Sequence, residues 1–334
     1  MKKLINNPND VVDEMIEGYI KAHPNQVRRL EENKRSIVIA SETKENKVGV
    51  LIGGGSGHEP AFMGYVGRGM ADGVAVGNIF ASPPPEPIVE ATKAIDKGNG
   101  VVYIYGNYAG DIMNFGMAAE LAEMEEDIDV ELVVVNDDVA SASSEEKEKR
   151  RGIAGEFFVT KAAGAAAEKG YSLKEVADVA RRTNERTRTM GVGLTPCYLP
   201  QTNEPSFSLK ENEMEIGLGH HGEPGVEKGE LQQADQVADR LVQDILNDMA
   251  MSNGDKVAVL VNGLGSTTRM ELYIVFRRVE QILAKQGIEI YRSYVGNYST
   301  SLEMGGCSVT LTNLDEELIS LIDAEADCPM YAQL

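Results

Sequence analysis

Three short aliphatic and β-branched runs in the first third of the chain each break off into glycine and polar residues. Lys47–Ile52 runs into Gly53, Val74–Val76 into Gly77 and Asn78, and Val101–Tyr105 into Gly106 and Asn107. Runs of this length and composition predict strands. Helical periodicity over Glu86–Lys97 and Ile112–Glu125 separates them, and Val130–Val135 predicts a further strand. Strands alternating with helices specify an α/β fold with a mostly parallel sheet. In such sheets ligands bind beyond the carboxyl ends of the strands, so the three loops are expected on one rim. Upstream, Asn9-Asp10 opens a helix over Val11–Ala22, and Ser36–Ala40 predicts another strand.

The pattern recurs in the second half. Helices are predicted over Phe157–Lys169 and Leu173–Arg188. Between Met190 and Ser208, Gly191, Gly193, Pro196, Pro200 and Pro205 suggest a break in regular structure and a passage between domains. A second α/β set follows, with strands at Glu213–Leu218, Lys256–Val261 and Glu289–Val295. Its helices are expected at Leu231–Met251, Met270–Gln286 and Glu316–Ile322. The expectation is two α/β domains with mostly parallel or mixed central sheets, residues 1–188 and 189–334. The mixed charge run Ser141–Arg151 reads as a solvated loop.

With 42% hydrophobic residues over 334 positions the chain can bury a substantial core, built on aliphatic residues and Met because aromatics are 6% and Trp is absent. A formal net charge of -21 disfavours nucleic acid and anionic membrane surfaces. Cys197, Cys307 and Cys328 are odd in number and widely spaced, which provides neither a disulfide framework nor a zinc site. No apolar stretch is long enough to cross a bilayer, and the first residues lack the apolar core of a signal peptide, so the cytoplasm is expected.

The chemistry concentrates in the loops. Gly53–Pro60, GGGSGHEP, lacks the Lys and Ser/Thr of a P-loop and the glycine spacing of a dinucleotide fingerprint. It presents bare backbone to a ligand, followed by the imidazole of His58 and the carboxylate of Glu59. Gly219–Gly225, GHHGEPG, echoes it after a later strand. Three of the chain's four histidines, His58, His220 and His221, sit in these two loops, whereas His23 stands at a helix end. Adjacent histidines rarely share a metal, and no metal site is expected. Asp111, after Gly106-Asn107-Tyr108, is either a helix cap or a general base. Asn262–Thr268 is either a tight turn or an anion site at a helix start.

These segments resemble the dihydroxyacetone-binding subunit of dihydroxyacetone kinases (DhaK). The resemblance is carried by GGGSGHEP, by GNIFASP at Gly77–Pro83, by GNYAGDIMNF at Gly106–Phe115 and by RRGIAG at Arg150–Gly155. It continues in TMGVGLTPC at Thr189–Cys197, EIGLGHHGEPG at Glu215–Gly225, VLVNGLGST at Val259–Thr267 and VGNYSTSLEM at Val295–Met304.

The resemblance implies that a nitrogen of His221 adds to the ketone carbon of dihydroxyacetone, forming a hemiaminal that glycerol cannot form. Asp111 would take the proton of the attacking hydroxyl, His58 would hydrogen-bond the adduct, and Gly55 and Ser82 would contact the ketose. No cofactor is implied on this chain. Mg-ATP/ADP would sit on a separate DhaL-type subunit recharged by a DhaM-type phosphotransferase protein, and the chain itself would be a homodimer. Three positions depart from the family pattern: Gly106 replaces a Lys, Gly116 a larger residue, and His220 an apolar one. The first two admit a four-carbon ketose such as erythrulose, or a ketose-sensing co-activator of a transcription factor.

Overall fold

The computed structural model describes residues 2–333, which form two compact units. One comprises residues 2–135, 156–183 and 318–333, the other residues 136–155 and 184–317. Where the sequence suggests a single boundary at 188/189, the units alternate along the chain.

The first unit begins with α1 (Val11–Ala22), β1 (Val27–Arg29), β2 (Ser36–Ile39) and β3 (Gly49–Ser56). There follow β4 (Gly73–Ile79), α2 (Pro85–Ile95), β5 (Val101–Gly106), α3 (Ala109–Glu126) and β6 (Val130–Val135). The sheet order is β1-β2-β4-β3-β5-β6. Strands β4, β3, β5 and β6 run parallel, and β1 and β2 are antiparallel additions. Strands β3 and β5 are buried along nearly their whole length, so both faces need cover. On one face Leu51, Tyr103 and Tyr105 pack with Ile88, Ala91, Phe115 and Ala118 of α2 and α3. The alternate residues face the other way, where α4 (Glu156–Glu168) lies on β3 and β5. Helix α4 is rich in Ala and buried all round, as a helix inside a core must be.

A buried ion cluster fixes how β3 and β4 begin. Lys47 Nζ lies 2.5 Å from Asp72 Oδ1 and 3.1 Å from Glu168 at the end of α4. Asp72 Oδ2 accepts the Val50 N–H at 2.9 Å. Burial opposes the Lys47 charge, but the two carboxylates outweigh it and raise its pKa.

The second unit contains β7 (Thr187–Thr195), which follows α5 (Leu173–Glu185), then β8 (Glu213–Ile216), β9 (Glu227–Glu230) and α6 (Ala234–Asp248). It continues with β10 (Lys256–Gly263), α7 (Arg269–Lys285), β11 (Glu289–Gly296) and β12 (Gly305–Leu314). The chain closes with α8 (Glu316–Ile322) and the small hairpin β13 (Ala326–Cys328) and β14 (Tyr331–Gln333). The second sheet, β11-β10-β12-β7-β8-β9, is mixed: only β10 and β11 are parallel. Its aliphatic face packs on Leu241, Val242 and Ile245 of α6 and Leu272, Val275 and Val279 of α7. The other face carries buried cross-strand pairs, Thr187 with Thr312 at 2.9 Å and Thr189 with Thr310 at 2.8 Å.

Three sequence expectations need correction. The helix predicted to Arg188 ends at Glu185, and the expected break begins as a buried strand, β7. Gly193 serves packing rather than a turn: a Cβ there would lie 2.3 Å from Leu218. The charge run Ser141–Arg151 is exposed over Ser144–Lys149, but Arg150 is buried and grips Asp248 through both guanidinium nitrogens at 2.9 and 2.6 Å. Arg188 shares that carboxylate, and the two cations hold it down at about 2 against its burial.

Breaking a buried pair by removing one partner costs about 3–5 kcal/mol, because a charge is left uncompensated. Lys47→Met is therefore expected to lower the unfolding free energy by about that amount in urea titration, and Lys47→Met with Asp72→Asn to restore most of it.

Candidate functional site

In the first unit the parallel strands β4, β3 and β5 are neighbours, so the loops after them emerge side by side. The loop after β3 is sewn to the loop after β4: Ser56 Oγ donates to the Gly77 carbonyl at 2.7 Å, and Phe80 N donates to Ser56 O at 3.0 Å. Gly55 permits this closeness, since a Cβ there would lie 2.6 Å from Ala81 N. His58 is 4% exposed. Its ring stacks on Phe80 with centroids 5.0 Å apart and meets Phe62 edge-on at 6.2 Å. The carboxylate of Glu59 accepts the Gly57 N–H. Burial raises its pKa, and the backbone donors only partly offset this.

Asp111 is the third residue of α3, while Tyr108 occupies the N-cap position. It is thus not the cap that one sequence reading allows, although a carboxylate in the first turn suits the helix dipole. Its side chain is buried, and its charge adds to burial in pushing the Tyr105 hydroxyl up to about 12. Gly110, next to it, lies against Ser82: a Cβ there would stand 3.2 Å from Ser82 Cβ. Asn114 in the next turn donates to the Pro83 carbonyl at 2.8 Å. His58, Gly55, Ser82 and Asp111 are therefore brought to one rim of the first unit.

The second unit holds the other loop, between β8 and β9. It is closed by Gly219 N donating to Glu223 O at 2.9 Å and Gly222 N to Gly219 O at 3.0 Å. Gly219 has no room for a side chain, since a Cβ would lie 2.3 Å from both Arg151 Nη1 and Glu223 Oε2. Glu223 accepts the His221 N–H at 2.8 Å through Oε2, and Oε1 lies 2.8 Å from His221 Nδ1. Burial alone would raise Glu223, but the hydrogen bond and charge of His221 prevail and hold it at about 2. An ionised carboxylate can only accept, so His221 Nδ1 must donate. That fixes the tautomer with the lone pair of the neutral ring on Nε2.

The two histidines do different things. His220 is buried, its Nε2 lies 3.2 Å from Ser299 Oγ, and its carbonyl accepts from Ser301 Oγ. Burial, then the neighbouring His221, drives its pKa down to about 3. The two rings meet edge-on with centroids 6.1 Å apart and an interplanar angle of 71°. The turn Asn262–Thr268 leads into α7, where Thr268 and Glu271 form a reciprocal capping box that uses the N–H groups of those two residues. Among the described residues no group of three or more His, Cys, Asp or Glu is placed to hold a metal. Nor is any helix there long and apolar enough to cross a membrane.

Sequence reasoning misses Glu223 as an orienting group, as well as the aromatic clamp on His58 and the Ser299 contact. The repeated Glu-Pro after each histidine is the signal that points to Glu223.

In the unfolded chain His220 takes up a proton as pH falls through 6.5, whereas in the folded protein it does so only near 3. Its contribution to stability is complete above 6.5 and is lost as pH falls through that window. Urea titrations at pH 7 and pH 5 are expected to show His220→Leu losing about 2 kcal/mol less than wild type.

A Dak1 domain model matches residues 17–330. The PTS-dependent dihydroxyacetone kinase 2 subunit DhaK of Listeria innocua is 46% identical over 331 residues, 99% of each chain. An L-erythrulose kinase of Pectobacterium atrosepticum is 42% identical over 99% of this chain but 56% of its own length. Among solved structures, the dihydroxyacetone kinase operon co-activator DhaQ superposes with a TM-score of 0.88 at 32% identity, covering 96% of this chain and 98% of its own. With a family model that spans nearly its whole length and relatives of this identity, the chain belongs to the Dak1 domain family.

Proposed function

We propose that this chain is the ketose-binding subunit of a dihydroxyacetone kinase and carries its substrate as a hemiaminal on His221. The observation that carries the reading is the 2.8 Å contact of His221 Nδ1 with the ionised Glu223, which leaves Nε2 as a nucleophile. Nε2 bonds to the ketone carbon while the carbonyl π pair moves to oxygen. The oxygen takes a proton from solvent while the ring gives up its Nδ1 proton to solvent by way of Glu223, so the adduct is neutral, Glu223 ends ionised and no proton is gained or lost overall. Glycerol has no carbonyl and is excluded by chemistry. Asp111 acts as general base on the terminal hydroxyl, and His58, held by Phe80 and Phe62, hydrogen-bonds the adduct. Gly55 and Ser82 contact the ketose. Covalent anchoring lowers the entropic cost of an in-line geometry for phosphoryl transfer.

The donor is Mg-ATP on a separate DhaL-type subunit, recharged from ADP by a DhaM-type protein. The name of the Listeria relative as one subunit of a PTS-dependent kinase supports this. So does the Pectobacterium kinase, much of whose length lies outside the match. The reading places a homodimer in the cytoplasm. A second substrate, a four-carbon ketose, is favoured by Gly116 of α3, where a Cβ would meet nothing within 4 Å, and by the name of the Pectobacterium relative. The DhaQ likeness raises a co-activator role, against which stands the presence of both Asp111 and His58.

Intact-protein mass spectrometry under gentle conditions is expected to show one added ketose with dihydroxyacetone or erythrulose, none with glycerol, and none for His221→Ala. Wild type without an adduct would overturn the reading. Asp111→Asn is expected to keep the adduct yet form no ketose phosphate with a charged partner subunit. Glu223→Gln, whose amide can donate to Nδ1 and so favour the other tautomer, is expected to slow adduct formation by about 10²-fold or more.

A further inference from the structure

Glu223 orients the His221 ring within its own loop, but that loop hangs between two short strands, and a nucleophile on a loop is only as well placed as the loop itself. The segment Tyr298–Ser301 supplies the missing anchor. Tyr298 N and Ser299 N both donate to Asn262 Oδ1, at 2.8 and 2.9 Å, and Asn262 Nδ2 returns a bond to Ser299 O at 2.7 Å. Ser301 N donates to the Leu264 carbonyl at 2.8 Å. Asn262 is a fully buried residue of β10, inside the second sheet, so residues 298–301 are fixed to the rigid part of the unit.

His220 is what this segment holds. Ser299 Oγ bonds its ring, the Thr300 main chain hydrogen-bonds the same ring, and Ser301 Oγ donates to its carbonyl. Three consecutive residues thus grip one histidine on both side chain and backbone. A buried imidazole needs such partners, because an unmade hydrogen bond there costs more than a made one contributes. The peptide bond that His220 shares with His221 transmits this constraint directly, and the edge-on ring contact reinforces it.

We propose that His220 is the positioning residue of the carrier loop, fixing Nε2 of His221 relative to β10 through Ser299, and so setting the rate at which a ketose adds to His221. The inference rests on the carrier reading above. Because burial keeps His220 neutral down to about pH 3, it positions without placing a second cation beside the nucleophile. An ångström of misplacement costs about 10²-fold in rate, so a loosened loop should affect adduct formation well before it affects folding.

The test is a time course of adduct formation with dihydroxyacetone on the full chain, read by quenched intact-mass spectrometry. His220→Leu removes the ring bond from one end and Ser299→Ala from the other. Each is expected to slow addition by about 10- to 100-fold, and the double variant to be no slower than His220→Leu, since His220→Leu already removes the bond to Ser299. His220→Gln, whose amide still reaches a hydroxyl, is expected to recover most of the rate. A merely structural histidine would show parallel losses of thermal stability and additive effects, with no rescue by Gln. Wild-type rates in both Ser299→Ala and His220→Leu, or additivity of the two, overturn the positioning role alone. Wild type forming no adduct overturns the carrier reading itself.

Discussion

A strand buried on both faces must pair every backbone group sideways, because no water reaches it, and β3 is in that position. Its neighbours are therefore not optional. The pairing with β4 and β5 is parallel because long crossover connections, not hairpin turns, join these strands, and parallel pairing brings all three carboxyl ends to the same rim. From this follow the placement of Gly55 at the end of β3 and His58 after it, Ser82 after β4 and Asp111 after β5. The Lys47–Asp72 pair acts at the opposite end of the same two strands, tying the start of β3 to the entry of β4.

The two Glu-Pro loops show how little separates similar motifs with different electrostatics. In each, a glutamate carboxylate turns back to accept the N–H two residues upstream, Gly57 for Glu59 and His221 for Glu223. Glu59 is half-buried with the Gly57 backbone N–H on its carboxylate, and desolvation raises its pKa. Glu223 has the ring of His221 against it, and its pKa falls to about 2. The first carboxylate braces a turn. The second also selects a tautomer, which matters only where a nitrogen must act as a nucleophile.

The division of labour around residues 220 and 221 has the same logic. Burial with three gripping neighbours makes His220 a fixed, uncharged element. Partial exposure beside the ionised Glu223 leaves the His221 ring accessible and sets its tautomer. Two adjacent residues of one type thus diverge because their surroundings differ.

The α/β class, most helices, and the loops bearing His58, Asp111 and His221 are legible in the sequence, because periodicity and glycine-rich interruptions are local signals. Strand β7 is not: its Gly191 and Gly193 read as breakers, and only the Leu218 side chain packed against Gly193 explains the second. Strand β12, central to the second sheet, is missing from the sequence reading although Cys307, Val309 and Leu311 alternate with Ser308, Thr310 and Thr312; only the fold shows that the polar set is buried as well. Nor does the run 141–151 reveal that Arg150 is buried, because Asp248, its partner, lies 98 residues away. The sequence by itself determined which residue types stand at the loops and hence what chemistry is available. Only the tertiary structure decided which nitrogen of His221 carries the lone pair and which histidine is locked, because tautomer and desolvation depend on neighbours such as Ser299 that sequence distance hides.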